Sequence, residues 1–490
     1  MFKAGYLPGI NDADVTWHRL GLGDPQNPGW IEVPQLDNAQ MTALAQRVRD
    51  ASQVHLKTMQ VSDIVRVIDK ATARLLDAHD PIRQQLDQML PLVTGFDAEM
   101  VRLNLTSYLH NFRGLQLHRF VAEDFPNPQV LDAFQPRIKG GWTKAYGPDL
   151  LVHVWAGNVP ALPMWSFVSG LLVKAGSIGK VSRAEPVFAT LFAQLLAEVE
   201  PRWRDCFAVV WWPSDDVDTP RTGSVTTENA IFSLADVVVA YGGNEALRAI
   251  QSHVPVTTRF LPHGHKLSFG MVSASTLTVR KGLHVARQAA LDVVRYDQQG
   301  CYSPHMLYVQ RGGAITPEEL AHQLANELAS LQHKLPRQAL SLEEAEQIRA
   351  WRATQEMAAL NDSAIRVLGS DTALHTVVFR EKTAPLTPGP LNRCVTVVAV
   401  DSLEDVIPMV TAQREYLQTV GLATPPEELM HLGEHLGRAG VTRICALGAM
   451  TSPEAGWHHD GRFSLLDLVR MVDIEANTEI EAERFTSYES

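Results

Sequence analysis

The chain has 490 residues, 45% of them hydrophobic, and a formal net charge of −12. That length exceeds what one compact core holds and predicts two domains or more. Interspersed charges with an acidic excess exclude a general nucleic-acid binder, though not a local basic pocket for a phosphorylated cofactor. Four cysteines, Cys206, Cys301, Cys394 and Cys445, lie far apart with no CxxC pair. Reduced thiols in a cytoplasmic protein are therefore expected. The N-terminus lacks the apolar core of a signal peptide. The longest largely apolar stretch, 159–173, is too short to span a bilayer and contains Pro160 and Pro163. It reads as a buried helix after a turn, so no membrane span is expected.

In chain order, residues 37–123 read as mostly helical, with leucines and valines at three- and four-residue spacing. Breaks are expected at Asp80-Pro81, at Leu90-Pro91 and near Gly95. From about 137, short β-branched runs (151–155, 206–211, 236–240, 268–273) alternate with helical segments such as 186–198 and 245–251. Such alternation predicts a parallel sheet with helices on its faces. A second alternating block covers 276–470. There, 285–294 reads as a helix leading to the Cys301 loop, and Thr316-Pro317-Glu318-Glu319 and Ser341–Glu344 read as capping boxes opening helices. Strands are predicted at 395–400 and 443–447, with a helix from Ser402 between them. The polar, acidic tail from 474 reads as an exposed end or an arm on a neighbouring subunit.

Candidate chemistry sits at the punctuation between these elements. In YDQQGCYSPHMLYVQ a polar loop delivers Cys301 to the head of an apolar strand, and in AGNVPALP Asn158 sits in a tight turn after the 151–155 strand. Thioester chemistry needs such a pair, a thiolate to attack the acyl carbon and an amide to hold the oxyanion. Read alone, a cysteine such as Cys301 is more often a small buried hydrophobe than a nucleophile. Gly242-Gly243 lie between a strand and a helix, where a phosphate would be favoured, but the run is no GxGxxG fingerprint and a plain tight turn fits equally well. Lys180, Ser182 and Arg183 suit a ribose and a 2′-phosphate, or a solvated basic loop. His263 and His265 lack a third ligand nearby, so a loop or core role is expected and no metal. Gly456-Trp457-His458-His459-Asp460-Gly461 reads first as a structural turn around a buried Trp457, and second as a run that brings His458 or His459 to the active site.

Taken in order, HVWAGNVPALP, SIGKVSRAEP, DVVVAYGGNEALRAI, LPHGHKLSFGMV, YDQQGCYSPHMLYV and GWHHDGRFSLLDLVRMVDIE resemble the LuxC-type acyl-CoA reductases, a branch of the aldehyde dehydrogenase superfamily. The segments span 150–475, about two thirds of the chain. The resemblance implies an aldehyde-dehydrogenase-like α/β fold. A helical N-terminal region and Rossmann-type cofactor domain would occupy 1–275, with an oligomerisation arm at 137–149. A catalytic domain would occupy 276–470, and a tail or arm 471–490. It implies that Cys301 is the catalytic cysteine of a QxCxSP segment and that Asn158 donates to the thioester oxygen. Lys180 would touch the cofactor ribose, Gly242 and Gly243 would face the pyrophosphate, and Ser182 and Arg183 would suit NADPH.

The implied reaction reduces a long-chain acyl-CoA, acyl-carrier or acyl-protein thioester to the aldehyde. An acyl-protein synthetase partner and a homo-oligomer go with it. One departure stands out. Where most aldehyde dehydrogenases carry a general-base glutamate, residues 261–266 read LPHGHK, with no carboxylate. Slow water attack and a bias toward reduction are then expected, with His263 or His265 as substitute bases. Two other readings stay open: a cysteine-dependent acyltransferase or thioesterase without hydride transfer, and a non-catalytic scaffold.

Overall fold

The computed structural model describes residues 2–22, 29–213, 224–370 and 372–485. Residues 486–490 of the proposed tail lie outside them. A five-stranded, all-parallel sheet runs in the order Arg259–His263, Val237–Tyr241, Leu150–Val154, Gly176–Lys180, Phe207–Val210. Strands 176–180 and 259–263 were not foreseen from the sequence. The period-2 alternation of a strand explains the two-faced packing. Leu151, Val237 and Val239 join one core with Phe167, Phe188 and Phe192. Leu150, Val152, Val154 and Val238 join another with Leu44, Val48 and Phe232.

Chain direction matters here. The first strand, Leu150–Val154, has the second (Gly176–Lys180) on one side and the fourth (Val237–Tyr241) on the other. The winding therefore reverses between Leu150–Val154 and Val237–Tyr241. In open α/β sheets, ligands bind in the crevice at the carboxyl ends of the strands at such a reversal. The Asn158 turn follows one of these two strands and the Gly242-Gly243 turn follows the other.

A seven-stranded sheet follows in the order Ile365–Leu368, Thr376–Arg380, Cys394–Val400, Pro304–Gln310, Leu267–Val272, Leu417–Ala423, Arg443–Ala446. Only the Ile365–Leu368 edge strand is antiparallel. Leu267–Val272 belongs to this sheet, so the chain changes sheets between His263 and Leu267, ahead of residue 275.

The N-terminal helices are Asn38–His55, Val61–Leu76, Pro81–Thr94, Ala98–Leu109 and Gly114–Asp124. Asp80 caps the third with Pro81 at its first position, and Gly95 ends it at φ 75°. The break expected at Pro91 does not occur. The helix runs through it, giving up one backbone hydrogen bond near its end. Both capping boxes form, at Thr316–Glu319 and Ser341–Glu344. Strand Trp142–Tyr146, within the expected arm, pairs with Gln135–Pro136 and Arg470–Ile474 in a small antiparallel sheet. No helix among the described residues is long and apolar enough to cross a membrane.

Candidate active site

The carboxyl ends of the five-stranded sheet and the amino-terminal ends of strands 267–272, 304–310 and 417–423 border one cavity of about 1330 Å³. Asn158, Lys180, Ser182, Arg183, Gly242, Gly243 and Cys301 all line it. The structure thus brings together every site residue expected from the sequence.

Cys301 is half-buried, three residues before strand Pro304–Gln310. Its loop is fixed at several atoms. Ser268 Oγ donates to the Cys301 carbonyl at 2.8 Å and accepts from Thr419 N at 3.1 Å. Asn158 Nδ2 donates to the Gln299 carbonyl at 2.7 Å, which sets the amide beside the thiol loop. Upstream, Tyr296, Asp297 and Gln298 all adopt positive φ, between 48° and 65°. That is an uncommon conformation for residues other than glycine, sustained only where the surroundings fix it.

A second left-handed run, Leu391-Asn392-Arg393, supplies the fixing. Asn392 N donates to the Asp297 carbonyl at 2.9 Å, and Arg393 Nε meets Asp297 Oδ1 at 2.6 Å, both side chains fully buried. Gln338 N donates to Asp297 Oδ2 at 3.0 Å. Gln298 Nε2 donates to the carbonyls of Pro304 and Cys394.

The thiol is held protonated. Burial pushes Cys301 up to about 11, and the Asp460 charge adds to it. A hydrogen bond from the Gln418 side chain, the local backbone N–H and Arg443 oppose the rise. Depression of the thiol by the loop's N–H groups, the usual route to a reactive cysteine, is therefore outweighed in this structure.

On the opposite wall, Gly243 is the N-cap of helix Asn244–His253 and offers no side chain to the first-turn N–H groups. A Cβ built on Gly243 meets nothing within 4 Å. An open, uncapped helix start is where a phosphate binds well. Lys180, buried at the end of its strand, lies 5.2 Å from the Trp212 ring. The basic loop comes close to the Asn158 turn because residue 157 is glycine. A Cβ there would lie 2.8 Å from Ser182 Cβ and Oγ and from Glu185 N. The donor set suits a phosphorylated ligand that runs from Arg183 past Gly243 toward Cys301.

The 456–461 run is more than a structural turn, since the lesser alternative, a histidine of the run reaching the cavity, is what His459 does, and His263 borders the cavity as a substitute base would. Trp457, His459 and Asp460 line the cavity with His263 and His265, while His458 points out, exposed. Asp460 sits at φ 54° and accepts from His263 Nδ1 at 2.9 Å and from Gln418 Nε2 at 2.7 Å. Burial opposes its ionisation, but the His263 hydrogen bond, both histidines and Gln418 together hold its carboxyl far below the usual range. The glutamate missing from 261–266 therefore does not leave the site without proton-transfer groups. A distant loop supplies a carboxylate–imidazole pair.

His263, His459 and Asp460 place ligand-capable atoms within 4.8 Å of one another. However, the two rings stack at 4.4 Å and 10°. A shared ion would lie out of both ring planes, away from the nitrogen lone pairs, so the arrangement does not suit a metal.

The signals for this pair were the density of polar groups in GWHHDG and the LPHGHK stretch, which offered His263 as a substitute base. Gln418 and Ser268, inside apolar strands, gave none.

The family model described as acyl-CoA reductase (LuxC) matches residues 56–471. A long-chain acyl-protein thioester reductase of Photorhabdus luminescens is 26% identical over 443 residues, covering 86% of this chain and 87% of that one. One from Aliivibrio fischeri is 29% identical over 385 residues, covering 78% and 75%. Among solved structures, Escherichia coli lactaldehyde dehydrogenase superposes with a TM-score of 0.71 at 14% identity, covering 97% of this chain and 99% of that one. A Bacillus halodurans NADP-dependent glyceraldehyde-3-phosphate dehydrogenase, complexed with NADP, superposes at 0.68 and 11% identity, covering 94% and 95%. The fold is aldehyde-dehydrogenase-like, and the chain belongs to the acyl-CoA reductase (LuxC) family.

Proposed function

We propose that this protein reduces a long-chain acyl thioester, carried on coenzyme A or on a protein, to the aldehyde with NADPH, through an acyl-enzyme on Cys301. The observation that carries the reading is the shared cavity. The thiol, the Asn158 amide, the uncapped helix start and Lys180, Ser182 and Arg183 all border it. Trp165, packed against Phe112 at 4.6 Å and Phe120 at 5.6 Å, joins Tyr108 in an aromatic wall suited to an acyl chain.

In this reading Cys301 Sγ attacks the acyl carbon and the carrier sulfur leaves. Asn158 exchanges its bond to Gln299 for one to the developing oxyanion, joined by the Cys301 N–H. Gly242, Gly243 and the helix N-terminus would hold the pyrophosphate of a nicotinamide dinucleotide, Lys180 the ribose, and Ser182 and Arg183 the 2′-phosphate. When bound, the cofactor would supply the hydride for the acyl carbon. Collapse then breaks the carbon–sulfur bond, restoring Cys301 and releasing aldehyde.

We assign cofactor binding to 1–275 and the nucleophile to 276–470. Exposed Trp142, Met471 and Phe485 around the small antiparallel sheet would seat a second copy of the chain.

Wild type and Cys301→Ala, assayed for NADPH oxidation with a long-chain acyl-CoA and with the aldehyde trapped, test the reading. Aldehyde formed one-for-one with NADPH by wild type alone is expected. Release of free coenzyme A without NADPH oxidation would favour the acyltransferase reading instead.

A further inference from the structure

The mechanism above leaves one cluster unused, and that cluster borders the thiol. His263 ends the last strand of the five-stranded sheet, whereas Asp460 and Gln418 come from the other side of the crevice. The Gln418 amide donates to Asp460 Oδ1 at 2.7 Å, and Gln418, Asp460, His263 and Cys301 all line the one cavity. The Asp460 charge reaches the thiol.

The His263 ring is fixed by two neighbouring rings and a carboxylate. Tyr241 stacks on it at 4.7 Å and 12°, and His459 at 4.4 Å and 10°, the two lying 6.1 Å from each other. Asp460 Oδ2 takes Nδ1 at 2.9 Å. An ionised carboxylate on Nδ1 requires the proton there, so Nε2 carries the lone pair. A ring fixed in orientation and tautomer by a buried carboxylate is how a general base is prepared beside a nucleophile. Positive φ at Asp460, outside glycine, marks a position whose geometry is imposed by its surroundings. The Tyr241 π-face would also favour the imidazolium once it forms.

We propose that His263 is the acid–base catalyst of thiol exchange at Cys301, with Asp460 as its positioning residue. The inference rests on the acyl-enzyme reading above. The Cys301 proton passes to His263 Nε2 as the bond from Sγ to the acyl carbon forms and the carbonyl π pair moves to oxygen. That pair returns as the carbon–carrier bond breaks. The carrier sulfur leaves with the bonding electrons and takes the proton from His263. Nothing is oxidised or reduced in this half-reaction.

The test follows acyl loading of Cys301 by rapid quench and intact mass. An alkyl thioester is compared with an aryl thioester, whose thiol leaves without needing a proton. His263→Gln should slow loading from the alkyl thioester by about 10²–10⁴-fold, the usual worth of a general acid–base. With the aryl thioester the loss should shrink at least tenfold, because only the base role of His263 is then missing. His263→Ala should regain loading when imidazole is added, which separates lost chemistry from lost folding. Equal losses with both thioesters, or no rescue by imidazole in a folded variant, would overturn the role of His263. Failure of wild type to load Cys301 at all would overturn the acyl-enzyme reading, and this inference with it.

Discussion

The two walls of the cavity are built on opposite plans. Behind Cys301, two left-handed triplets, 296–298 and 391–393, are locked by a fully buried ion pair and the backbone bond from Asn392 N to the Asp297 carbonyl. Across the crevice, Gly242-Gly243 and an uncapped helix start leave open space and unclaimed N–H groups. A nucleophile must keep its position through every turnover, so its loop is over-determined at some conformational cost. A cofactor arrives and leaves, so its wall withholds side chains and lets the ligand complete the hydrogen bonding.

Breaking each wall should therefore have different consequences. Arg393→Met strands Asp297 as a buried, unpaired carboxylate. It should cost about 3–5 kcal/mol of stability in denaturant unfolding, in line with other broken buried pairs. Asn158→Ala should leave unfolding unchanged and lower turnover by about 100-fold, the loss expected for one oxyanion donor. Gly243→Val tests the open wall. Its φ of −65° accepts any side chain and no atom is displaced, so stability should hold while NADPH binding, followed by fluorescence titration, weakens by about tenfold or more.

The smallest effect concerns the thiol. With Cys301 pushed up to about 11, its alkylation by iodoacetamide in the free enzyme should be slow at neutral pH and rise through the alkaline range. The Asp460 charge disfavours the thiolate. Asp460→Asn should therefore shift that rise to lower pH and speed alkylation at pH 7 several-fold, even as it impairs turnover through His263.

Much of this was legible in the sequence. Strand–helix alternation gave both parallel sheets, Asp80-Pro81 and the two capping boxes gave helix starts, and the ordered motifs singled out all seven residues that meet in the cavity. Two kinds of feature escaped. Strand Gly176–Lys180 was hidden because its glycines, one of them against Trp155, weaken the β-branched pattern. The proton-handling cluster was hidden because its members come from 263, 418 and 460, and no local spacing links them. Pro91 misled for a different reason. Only three helical residues follow it before Gly95 ends the helix, so one lost backbone bond does not interrupt a long run.

The central claim is that Cys301 carries the acyl group between carrier and hydride. Its most direct test is intact and peptide mass spectrometry of the enzyme mixed with long-chain acyl-CoA, quenched before and after NADPH is added. The account predicts an acyl adduct on Cys301 alone, discharged as aldehyde when NADPH arrives and absent from Cys301→Ala. Aldehyde formed without any adduct, or an adduct on Cys206, Cys394 or Cys445 with Cys301 unmodified, would contradict it.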